Sequence, residues 1–175
     1  MFSPEFREML DGVARSMRLI WAGIVTSTTA SAAAALVLAD GAARDLSDVL
    51  GHVLTGGAAA AAIASIAVRR TYLSETADGG RLWPDAAGGR MAAGVAALSA
   101  PERYVMTAIL RMQVPFVVCL ALNETVALLG MVRAFAGGAG EHVLPFVIVS
   151  LALDIFVLPR PERGAERLWL EAHRT

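Results

Sequence analysis

Four long apolar stretches constrain this chain more than any other feature of its sequence. The runs "RLIWAGIVTSTTASAAAALVLAD", "VLGHVLTGGAAAAAIASIAVRR", "ILRMQVPFVVCLALNETVALLGMVR" and "HVLPFVIVSLALDIFVLPRP" place apolar cores over residues 19–39, 49–68, 109–132 and 143–158. A helix rises about 1.5 Å per residue, so about 20 apolar residues cross the ~30 Å of bilayer hydrocarbon. The fourth run, at 16 residues, is short and leans on its flanks. A soluble bundle built from such runs would need a charged outer stripe on each helix, and they have none. Hydrophobic residues make up 56% of the chain, above the roughly 45–50% of soluble domains. The expected fold class is therefore all-α: a polytopic membrane protein with four transmembrane helices, forming a single membrane domain over residues 1–175.

Arginine placement supplies the expected orientation. Arg7, Arg15 and Arg18 precede the first run, and Arg44 alone separates the first from the second. Arg69, Arg70, Arg81, Arg90 and Arg103 lie between the second and third, and Arg133 alone follows the third. Arg160, Arg163, Arg167 and Arg174 follow the fourth. Basic residues concentrate in short cytoplasmic loops, so the alternation 3, 1, 5, 1, 4 predicts N and C termini in the cytoplasm, a cytoplasmic loop over 69–103 and a cytoplasmic tail over 159–175. The amino terminus lacks a short apolar core ahead of a small-residue cleavage site, so the first run is read as a retained span in an inner (plasma) membrane.

Outside the spans, Ser3 as N-cap and Pro4 at the first helical position open a helix whose Phe6, Leu10, Val13 and Met17 recur at helical spacing. That apolar side is expected to lie on the inner membrane surface. Ser99 and Glu102 have capping-box spacing and predict a helix start near Pro101. In the tail, Leu168 and Trp169 are expected against lipid. The 69–103 loop, with two Gly-Gly pairs and with Trp83-Pro84 offering an aromatic at headgroup level, is expected to be partly flexible.

Several function classes are excluded from the expectation. A net charge of −1 spread along the chain offers no basic stripe for nucleic acid. One cysteine, Cys119, builds no disulfide or thiolate metal site, and three scattered histidines have no ligand spacing. No Gly-x-Ser-x-Gly, phosphate loop, His-Glu-x-x-His or Cys-x-x-Cys occurs, so no enzyme, cofactor or metal is expected.

The candidate site is acidic and lies inside the spans. Glu124, beside Asn123, falls near mid-membrane, nine positions before Arg133. A charged carboxylate there costs at least ~2.5–3.5 kcal/mol, so it faces the bundle interior, pairs, or binds a proton. Asp154 in the antiparallel fourth run lies within about 3 Å of the same depth by helix rise. Glu124, Asn123 and Asp154 are thus the ion- or proton-binding candidates, and a packing acid hydrogen-bonded to Asn123, Thr125 or Gln113 is the alternative. For Asp154 the alternative is a carboxyl reaching the inner headgroups or Arg160. Small residues at Gly56, Gly57, Ala60, Ala61, Ala64 and Ala67, and at Ser27, Ser31 and Ala35, make smooth faces for close helix packing or for a homo-oligomer.

The stretch "ALNETVALLGMVRAF" resembles the carboxylate-bearing helix of subunit c of the F- and V-type ATPases, and by that resemblance Glu124 matches the ion-binding carboxyl. From about residue 100 to 168, the order of an arginine-led span, a Gly-rich turn, a last span and "RPERGAERL" resembles a class of small bacterial four-helix membrane proteins of unknown function, which implies the topology but no activity. The leading expectation is an integral inner-membrane protein of unassigned role in which Glu124 is a structural or protonatable acid. A proton- or ion-coupled component is one alternative. An anchor or accessory subunit that binds a partner through its cytoplasmic loop is the other.

Overall fold

The computed structural model describes residues 2–39, 48–73, 89–137 and 139–172. They are helical almost throughout, and no strand occurs among the described residues. The helices are α1 (Pro4–Leu38), α2 (Asp48–Val68), α3 (Gly89–Ala97), α4 (Ala100–Arg111), α5 (Gln113–Gly137), α6 (Leu144–Phe156) and α7 (Pro161–Ala172). A π-helical turn over Arg69–Leu73 continues α2, and a 3-10 turn over Gly140–Val143 leads into α6. Four helical stretches, Pro4–Leu38, Val49–Thr71, Ala100–Gly137 and Gly140–Leu170, are long and apolar enough to cross a membrane, and the four runs fall one to each. Residues 74–88, with Trp83-Pro84, lie outside the described residues.

The helices sort into two compact units. One comprises Met1–Ile20, Val68–Val117 and Pro159–Thr175, with the first half of α1 and helices α3, α4 and α7. As expected, α1 begins at Pro4, and the Ser3 hydroxyl accepts the Phe6 N–H at 3.2 Å. The Glu102 carboxylate accepts the Ser99 hydroxyl at 2.6 Å and the Ser99 N–H at 3.3 Å, which is the glutamate half of a capping box. It also accepts the Ser3 N–H at 2.6 Å, so one carboxylate serves the starts of two helices. These donors, the Ser99 hydroxyl first, hold the Glu102 carboxyl well below the usual glutamate range, at about 2, against the opposing effect of burial.

Two expectations are corrected here. Phe6, Leu10, Val13 and Met17 do not face lipid but are buried inside this unit. Leu168 is fully buried, and Trp169 meets the Phe2 ring edge-on with centroids 4.7 Å apart. The physical reason is mutual cover: amphipathic helices that share one unit bury these apolar stripes against one another. Within the segment between the second and third runs, residues 89–97 form the short helix α3. The α-helix is interrupted at Met112, between α4 and α5, three residues before Pro115, which has no N–H for the helical ladder; Phe116 N–H resumes the ladder on Met112 O at 3.1 Å.

The second unit comprises Trp21–Ala67 and Val118–Leu158. One buried cluster joins Ala32 and Ala35 of α1 to Ala127 and Ala134 of α5 and Val147 of α6. Another joins Ala58 and Ala61 of α2 to Val126 of α5 and Phe146 of α6. Alanines on α1 and α2 let the backbones close on the bulkier pair. The buried side of α2 is Leu54, Ala58, Ala61 and Ser65, so the expected small-residue face is split: Ala61 packs inward, while Gly56, Gly57, Ala60 and Ala67 stay exposed. Gly130 marks the tightest approach, since a Cβ there would lie 2.4 Å from Phe146 Cβ.

Candidate functional site

The centre of the second unit is polar. Asn123 of α5 is fully buried, and its side chain is engaged at both atoms. Its Oδ1 accepts the Ser65 hydroxyl from α2 at 2.6 Å, and its Nδ2 donates to Asp154 Oδ1 of α6 at 2.8 Å. Ser150, one turn before Asp154 on the same side of α6, donates its hydroxyl to the Asn123 carbonyl oxygen at 2.8 Å. On α1, the Trp21 indole donates to the Asp154 carbonyl oxygen at 2.9 Å. Cys119, one turn before Asn123, points its thiol at the Ser65 carbonyl at 3.6 Å.

Ser65, Asn123, Ser150 and Asp154 are all essentially without solvent exposure. Burying such groups unpaired costs about 1–3 kcal/mol each, so the hydrogen bonds are what make the interior tolerable. Four helices contribute, and each bond fixes an axial register that apolar contacts alone leave free to slide. Asp154 Oδ2 is the exception, buried with no hydrogen-bond partner.

The three sequence candidates separate. Asn123 and Asp154 come together, and Asp154 turns into the helix interface instead of reaching for headgroups or Arg160. Glu124 does not share that interface: it is half-buried, one position on from Asn123, and its hydrogen bond is with the Ser27 hydroxyl of α1 at 3.5 Å. Its expected neighbours are otherwise engaged, because Asn123 serves Ser65 and Asp154 while the Thr125 hydroxyl bonds the Ala121 carbonyl in its own helix at 2.8 Å. Glu124 remains within electrostatic reach of Asp154.

Ser65, Ser150 and Trp21 were not singled out in the sequence. One signal for Ser150 was available, since Ser150 and Asp154 are the two polar positions of the fourth run and lie four apart, on one helix face. Among the described residues, no group of three or more His, Cys, Asp or Glu side chains comes together to hold a metal ion.

No protein-family model, curated protein or solved structure matches this chain, so the resemblance to ATPase subunit c rests on its short motif alone.

Proposed function

We propose that this protein is a non-catalytic integral membrane protein of a bacterial inner membrane, crossing it four times with both ends in the cytoplasm. In it the Asn123–Asp154 pair is a clasp that fixes the register of the spans. Arginine alternation supports the orientation, because arginine-rich segments alternate with segments holding a single arginine. The observation that carries the clasp is Asn123, whose amide oxygen and nitrogen are committed to α2 and α6 at once. A group so engaged holds three helices together, and exchanging either partner for a passing ion would break a bond between spans. Self-association through the exposed Gly56, Ala60 and Ala67 side of α2 belongs to the same reading, and the particle mass in lipid nanodiscs tests it.

A second reading, a proton- or ion-coupled component, is favoured by one observation. Asp154 Oδ2 lacks a partner while a second acid, Glu124, lies within electrostatic reach. Infrared difference spectroscopy of the carboxyl band, for protein in lipid between about pH 4 and about pH 10, decides between the two. The clasp predicts a band unchanged across that range. A reversible titration that disappears in Asp154→Asn or shifts in Glu124→Gln would move the assignment to proton coupling.

A further inference from the structure

The second unit holds an open cleft of about 800 Å³, a volume within the roughly 300–1,000 Å³ of small-molecule sites. Its polar end is formed by Thr55, Arg133, Glu141 and His142. Away from that end the walls are apolar, with Ala59 and Ala62 of α2 facing Val126 of α5 and Val149 of α6. The cleft exists because alanines occupy positions where larger side chains would fill it. It therefore has the polarity of an amphiphile: a charged rim, then a greasy channel.

Arg133 supplies the charge. Its guanidinium donates to the Gly51 carbonyl oxygen at 3.1 Å and to the Thr55 hydroxyl, and it lies over the Phe146 ring at 6.0 Å from the centroid. All three partners are neutral, and among the described residues no carboxylate forms an ion pair with it. They orient the group without cancelling its charge, and an arginine keeps further N–H donors in a planar fork that matches a phosphate. On the same rim, His142 Nδ1 is buried with no hydrogen-bond partner.

We propose that this cleft binds one phospholipid, with its phosphate on Arg133 and one acyl chain along Ala59, Ala62, Val126 and Val149. Glu141, on the same rim, gives the ammonium of an ethanolamine headgroup a counter-charge, so phosphatidylethanolamine is preferred over phosphatidylglycerol. The proposal rests on the chain crossing a membrane, but it is indifferent to whether Asp154 is a clasp or a proton site.

Native mass spectrometry of the delipidated full-length chain, titrated with phosphatidylethanolamine, phosphatidylglycerol or inorganic phosphate, tests it. The expected result is a single phosphatidylethanolamine adduct that Arg133→Gln weakens about tenfold, the worth of one charged hydrogen bond. Ala59→Phe fills the channel and gives a similar loss, and Glu141→Gln removes the preference over phosphatidylglycerol. Cooperative thermal unfolding of each variant well above the assay temperature shows that the losses are not those of a misfolded protein.

Equal binding by Arg133→Gln and Ala59→Phe overturns the site. Inorganic phosphate binding as tightly as the lipid overturns the acyl channel, and a doubled mass in place of an adduct gives the cleft to a second copy. Failure of the parent chain to float with phosphatidylethanolamine vesicles would instead overturn the membrane topology, which keeps the two failures distinct.

Discussion

The Asn123 side-chain amide donates to Asp154 Oδ1 at 2.8 Å across α5 and α6, and neither residue is exposed. Interhelical hydrogen bonds in membranes average about 0.6 kcal/mol and reach about 1.7 in double-mutant cycles. A cycle of Asn123→Ala and Asp154→Ala, read by unfolding in mixed micelles, is expected to give a coupling at the upper end of that range, because both groups are fully enclosed. A coupling near zero would remove the clasp.

Gly130 and Gly23 make opposite predictions from the same substitution. An alanine Cβ at Gly130 would come within 2.4 Å of Phe146 Cβ and 2.7 Å of its ring carbon, so Gly130→Ala must push α5 and α6 apart. Overpacking of that kind costs about 1–3 kcal/mol. Nothing lies within 4 Å of a Cβ at Gly23, so Gly23→Ala is expected to gain up to about 1 kcal/mol of helix propensity. Melting temperatures of the two variants should move in opposite directions.

Glu102 sets an acid limit on the first unit. Its carboxyl sits at about 2 in the folded chain against an ordinary 4.5, so its contribution is fully present above about 4.5 and is lost as pH falls towards 2. Hydrogen exchange in the first turn of α1, anchored through the Ser3 N–H, should rise over that window relative to Glu102→Gln, which lacks the titration. Identical acid profiles for the two proteins would contradict the assignment.

Arg18 and Glu162 form an exposed ion pair between α1 and α7. Solvent screens such a pair, and measured values cluster at about 0–1 kcal/mol. Arg18→Ala should therefore change stability by less than about 1 kcal/mol, and by still less at high salt. A larger loss would mean that the pair organises the unit more than its exposure allows.

The orientation can be tested with thiols, since the native Cys119 is buried and should not react. Glu8→Cys and Glu166→Cys are expected to label with an impermeant maleimide only from the cytoplasmic side, and Ala139→Cys only from the opposite side. Labelling of Glu8→Cys and Glu166→Cys from different sides would break the even number of crossings.

Local sequence was enough to read the number of long apolar helices, the start of α1 at Pro4, a start of α4 near Pro101, and the level along the helices at which Asp154 meets the third run. Each follows from local quantities: span length, capping residues, and a rise of about 1.5 Å per residue counted from a short loop. What it left undecided was direction around the helix axis. Neighbouring residues point about 100° apart on a 3.6-residue turn. Depth alone therefore does not choose between Asn123 and Glu124.

Tertiary packing made that choice. Alanines on α1 and α2 set which sides of α5 and α6 close together, and the closure took Asn123 into the interface with Ser65 and Asp154 while leaving Glu124 beside Ser27. In the first unit, separately, Phe6, Val13 and Leu168 are buried because the amphipathic helices there cover one another's apolar stripes. An amphipathic stripe says that a face must be covered, and only the fold says by what.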